Sequence, residues 1–153
     1  CDAFTPTDAT AIPTGEMRKV AGTPFDFTKP HKIGERIGAE NQQITYGKGY
    51  DHNFVINGKG GTLRPVAKVV DQGSGRVMEV HSSDHGVQLY TGNFLEGAFT
   101  GKDGQVYQQR QGLCLECQRH PDSPNQSEFP TPVLNPGETY EKTTIYRFST
   151  QGK

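Results

Sequence analysis

From residue 49 onward, apolar and polar residues alternate with a period of two, the pattern of strands with one buried face. Residues 52–57 read as one strand, closed by Gly58-Lys59-Gly60-Gly61. Residues 63–70 and 76–82 read as two more, joined by a hairpin turn at Asp71-Gln72-Gly73-Ser74-Gly75. Residues 87–91 and 112–118 read as strands, and 140–150 as a last one with Thr144, Tyr146 and Phe148 on one face. The first 32 residues are extended chain broken at Pro6, Pro13, Pro24 and Pro30. Residues 28–38 are polar, with Ile33 and Ile37 four apart, which allows a turn or two of helix or an irregular loop. Residues 120–138 form a long loop punctuated by Pro121, Pro124, Pro130, Pro132 and Pro136. Short strands at regular spacing with turns between them predict an all-β, mostly antiparallel sandwich or barrel.

Composition narrows the picture. Hydrophobic residues are 31% of the 153, and 19 Gly and 10 Pro interrupt them. Long helices tolerate neither residue, so a helical bundle, a coiled coil and a helical membrane span are excluded. Eight Phe and six Tyr are too many for a disordered tail. Sixteen basic and seventeen acidic residues leave a net charge of −1, with no basic run. That charge pattern argues against nucleic acid and against an anionic membrane surface as partners. The length suits one domain at most.

The three cysteines are Cys1, Cys114 and Cys117. An odd number argues against a disulfide framework, and reduced thiols suit a cytoplasmic protein. Cys114-Leu-Glu-Cys117 is half of a zinc motif, but no second pair exists, and His120 alone does not complete one. No metal is expected. No nucleophile elbow, phosphate loop or HExxH motif occurs.

The chemistry that remains sits inside strands. Alternation puts Leu113, Leu115 and Cys117 on one face and Cys114, Glu116 and Gln118 on the other. A carboxylate such as Glu116 facing a pocket is a candidate general base, and facing water it is a solvated strand residue. Asp51 and His52 open a strand and point to opposite sides. Asp51 suits a ligand or a turn-capping contact, His52 an interior or edge position. Gln88 shares a face with Tyr90, a pairing suited to hydroxyl-rich ligands and equally to an exposed face. His31, His81, His85 and His120 are scattered without ligand spacing and are expected at the surface.

Six segments, in order, resemble the aldose 1-epimerase (galactose mutarotase) family. They are Pro13-Thr14-Gly15, Gly49-Tyr50-Asp51-His52-Asn53-Phe54, Gln88-Leu89-Tyr90-Thr91-Gly92-Asn93-Phe94, Leu113-Cys114-Leu115-Glu116, Pro121-Asp122-Ser123-Pro124-Asn125 and Leu134-Asn135-Pro136-Gly137-Glu138. The resemblance implies an antiparallel β-supersandwich and interconversion of the α and β anomers of free hexoses such as glucose and galactose. It matches Glu116 to the general base, and Asp51 and Gln88 to sugar-binding residues. The histidine acid and a site arginine belong to an N-terminal half that this chain does not contain. Residues 1–153 are accordingly expected to be the C-terminal portion of a single such domain.

The expected partners are the hexose, and either the N-terminal half of the same protein or a second copy of the chain. No cofactor is implied. A second hypothesis is a hexose-binding module that keeps Asp51 and Gln88 without catalysis. A half-sandwich lacks the cover for one sheet face, so the isolated chain is expected to be marginal or to associate.

Overall fold

The computed structural model describes residues 1–151. Its elements in chain order are β1 (Ala3–Thr5), β2 (Arg18–Lys19), α1 (Gln42–Gly47), β3 (Asp51–Val55), β4 (Arg64–Val70), β5 (Arg76–Ser82), β6 (Gly86–Tyr90), β7 (Cys114–Gln118) and β8 (Thr144–Thr150). The strands form two sheets, ordered β2-β1-β3-β6-β7 and β4-β5-β8. Every named pairing is antiparallel, so the all-β expectation holds.

Alternation explains which face each sheet buries. Phe4, Phe54, Val87 and Cys117 lie directly opposite one another across four strands. All four are buried, together with Phe25, Tyr50, Ile44 and Leu89. Phe4 stacks on Phe25 with centroids 4.3 Å apart and planes 13° apart. The second sheet adds Val80, with Met78, Val66 and Ala67 at the margin. Ile33 and Ile37 also pack there, around a short 3₁₀ turn at Ile33–Glu35.

The β4–β5 hairpin is built as its sequence suggests. The Asp71 carboxylate accepts hydrogen bonds from the amides of Gly73 and Ser74, and Gly75 turns the chain at φ +75°. Pro65 cannot donate to a ladder. It sits on β4, an edge strand, where the register slips between Pro65 and Ala67.

Three elements escape the period-two reading, the two-residue β2 among them. β1 is only three residues long, between β2 and β3 in its sheet. α1 is short; its N-cap Asn41 accepts from the Gln43 amide at 3.0 Å, and Lys48 ends it in the left-handed conformation.

β7 and β8 are outer strands of their sheets. They approach each other, because the Tyr146 hydroxyl donates to the Leu115 carbonyl at 2.8 Å. Tyr146 lies opposite Val80 and Phe148 opposite Met78, so both share the face that carries the core. Yet Tyr146 is 45% exposed and Phe148 73%. An apolar face therefore continues past the covered core along this seam.

Candidate active site

Position 49 fixes where β3 begins. Gly49 has φ +135°, and a Cβ there would lie 2.5 Å from Asn93 Oδ1. Asn93 Nδ2 in turn donates to the carbonyls of Gly47 and Tyr50, each at 2.8 Å. This buried clamp sets the register at which Asp51 enters the sheet.

On the face opposite the core, register brings polar residues from successive strands into line. Thr5 pairs with Asn53, Asn53 with Gln88, and Gln88 with Glu116. One step along, Asp51 pairs with Tyr90, and Tyr90 with Cys114. Gln88 leans diagonally, and its Nε2 donates to Asp51 Oδ1 at 2.8 Å. The Tyr90 ring stacks on Phe94 at 6.2 Å and 12°, and its hydroxyl oxygen accepts from the Phe94 amide. An open hollow of about 390 Å³ lies over this face, lined by Asp51, Gln88, Tyr90, Phe94, Glu116, Gln118 and Pro121. Its size suits a monosaccharide.

The three residues singled out from the sequence thus converge on one hollow. Asp51 is half-buried and engaged by Gln88 rather than by a turn. Glu116 is exposed, because β7 is the last strand of its sheet. Gln88 is half-buried, and among the described residues its Oε1 finds no hydrogen-bond partner. Cys114 and Cys117 fall on opposite faces of β7, the first exposed and the second buried. They cannot jointly grip one ion.

The histidines divide differently from expectation. His52 is an interior residue on the core face, 1% exposed, and burial pushes its pKa down to about 4. Its Nδ1 accepts from the Asp51 amide at 3.1 Å. The surface expectation fails for His120, which is 3% exposed. It packs edge-to-face on Phe129 at 5.1 Å, and its Nδ1 lies 2.9 Å from Asn53 Nδ2. Burial, and then the neighbouring His85, push its pKa down to about 4, with Arg119 acting the same way and Asp84 against. Neither histidine lines the hollow. Among the described residues the hollow is therefore lined by two carboxylates, two amides and a phenol, but by no imidazole.

Sequence reasoning set Tyr90 beside Gln88 and Gln118 beside Glu116. It did not single out Asn53, whose position two residues after Asp51 was a readable signal.

The aldose 1-epimerase family model matches residues 1–147. The chain belongs to the aldose 1-epimerase family. Galactose mutarotase of Bos taurus is 47% identical over 148 residues, covering 97% of this chain and 42% of that protein. Aldose 1-epimerase of Escherichia coli K12 is 37% identical over 149 residues, again covering 42% of its length. The crystal structure of an aldose epimerase homologue from C. elegans superposes with a TM-score of 0.85 at 30% identity, covering 99% of this chain and 44% of the other. The chain thus spans less than half the length of the relatives it matches. Its fold is that of the family's antiparallel β architecture.

Proposed function

We propose that this chain carries the base-bearing part of an aldose 1-epimerase site, acting on free hexoses such as glucose and galactose. The observation that supports it most is the convergence of Asp51, Gln88 and Glu116 on one face of three adjacent strands, around a sugar-sized hollow. In the proposed reaction the Glu116 carboxylate takes the proton of the anomeric hydroxyl. The C1–O5 bond breaks, its electron pair moves to O5, and a general acid protonates O5. Rotation about C1–C2 and closure on the other carbonyl face then give the other anomer, with both protons returned. Asp51 and the free Gln88 oxygen accept hydrogen bonds from ring hydroxyls. Each acid–base group is worth about 10²–10⁴ in rate.

The acid is assigned to polypeptide outside this chain. The proposed arrangement is that residues 1–153 form the C-terminal portion of one domain, whose N-terminal portion supplies the acid. That portion would also cover the β7/β8 seam, where Tyr146 and Phe148 are exposed. Polarimetry on α-glucose and α-galactose tests this, with the chain alone and with a polypeptide matching the remainder of its relatives. Mutarotation is expected only with the complement, and E116Q should lower it by about 10²–10⁴. An E116Q variant as active as the parent would refute the assigned base.

A second reading, a hexose-binding module, is favoured by the lack of an imidazole acid along the hollow among the described residues. Hexose binding without mutarotation in the presence of the complement would select it.

A further inference from the structure

We infer that His120 is a positioning residue of this site, holding the Asn53 amide so that the Gln88 carbonyl oxygen stays free for a sugar hydroxyl. The inference rests on the proposed role of Gln88 as a sugar ligand.

Asn53 and Gln88 are directly opposed on β3 and β6, and such pairs have Cβ atoms about 4.5–5.5 Å apart. Two amides so placed are within reach of each other. Here they do not bond to each other. Gln88 reaches along the sheet to Asp51. Asn53 reaches the other way, with Nδ2 2.9 Å from His120 Nδ1 and 3.3 Å from Thr5 Oγ1. The Thr5 hydroxyl donates to the Asn53 carbonyl at 3.4 Å, so its lone pair is what faces Nδ2. Both Asn53 protons are thereby spoken for.

Gly86 makes the lean possible. A Cβ at that position would lie 2.2 Å from Asn53 Oδ1 and 2.8 Å from His120 Nδ1. The space a side chain would fill is where the two groups meet.

Among the described residues, Gln88 Oε1 and Asn53 Oδ1 are both buried without a hydrogen-bond partner, and two acceptors cannot satisfy each other. Asn53 is 2% exposed. Without the His120 acceptor, one Asn53 N–H would be stranded, and the directly opposed Gln88 carries an unpartnered acceptor. A buried donor and a buried acceptor left unmade are both costly, so they pair. The Asn53 amide would then occupy the oxygen that a sugar hydroxyl needs. His120 prevents this while neutral, with its Nδ1 lone pair available and its proton on Nε2.

The test is polarimetric kinetics on wild type, H120F, N53A, the N53A/H120F double variant and Q88L, in whichever arrangement above is active. H120F keeps an aromatic ring against Phe129 but has no acceptor. It should raise KM for the hexose about five- to tenfold, with kcat within about twofold. H120N, which places an acceptor oxygen near the Nδ1 position, should restore KM. In the N53A background, H120F should have no further effect, because the competing amide is gone. Additive damage in the double variant, or an unchanged KM in H120F while Q88L raises it, overturns the inference and leaves the function standing. An unchanged KM in Q88L removes the Gln88 role and the inference with it. Should H120F not fold, nitrogen NMR of the wild-type imidazole decides: an Nδ1-protonated His120 at neutral pH overturns the proposal, and the Nε2-protonated tautomer supports it.

Discussion

Acid should destabilise this fold well before its carboxylates are neutralised. His52 and His120 are both buried, and each has its pKa lowered from 6.5 to about 4. At neutral pH neither state binds a proton there, so the shift contributes nothing. As pH falls through 6.5 the unfolded chain takes up a proton at each site that the folded chain still refuses. Stability therefore declines between 6.5 and about 4, and the loss is complete below the folded value. For one such histidine the loss is about 2 kcal/mol by about pH 4.5 and about 3 kcal/mol at the limit. Two together would remove about 4–5 kcal/mol by about pH 4.5, against a usual total of about 5–15 kcal/mol. The carboxyls of Asp8, Asp26 and Asp71 are lowered by local hydrogen bonds from an ordinary 3.8. They act in the same direction, but only at the bottom of that window and below. Urea unfolding followed by circular dichroism at pH 7, 6, 5 and about 4.5 measures the decline, and H120F should lack its share of the slope. A free energy of unfolding that stays flat from pH 7 to about 4.5 would refute the reasoning. So would imidazole titrations of both histidines near 6.5 by NMR.

Two further predictions concern packing and charge. Phe4 is 1% exposed and stacked on Phe25, so Phe4→Ala should cost about 3–5 kcal/mol by the same urea assay; a loss under about 1 kcal/mol would mean that the site collapses freely. The Lys142 ammonium lies 2.9 Å from Asp84 Oδ2, in a charge contact rather than an aligned hydrogen bond, and Asp84 is 4% exposed. Lys142→Ala strands that carboxylate and should cost about 1–3 kcal/mol, reduced from the fully buried case because water reaches part of the lysine. Asp84→Asn in the same background should recover part of the loss, and no recovery would count against an electrostatic origin.

Strand positions were legible because alternation is a local property. Six of the eight strands fall where period two puts them, within a few residues at their ends. β1, β2 and α1 were not legible, since three residues before a proline, a pair of residues and one capped turn carry too little periodicity. Strand order was hidden as well: nothing local says that Ala3–Thr5 inserts between β2 and β3. For the site, alternation gave faces and the resemblance gave roles. What neither supplied was register, which decides that Gln88 stands opposite both Asn53 and Glu116. His120 was misread because a histidine beside a proline in a polar loop looks solvated. Its burial depends on Phe129 and Asn53, which are distant along the chain or in another element.

The polar row Thr5, Asn53, Gln88 and Glu116 has a temporal meaning too. Its members are scattered from position 5 to position 116, each on a different strand. No two of them become neighbours through a local hairpin; the shortest link, Gln88 to Glu116, still joins positions far apart in the chain, and such closures are slow. During synthesis the row cannot be complete until β7 has left the ribosome. No shorter nascent chain holds a partial version with Glu116 in place. A sugar that binds along the row would therefore report that the first sheet has finished folding, from its first strand to its last.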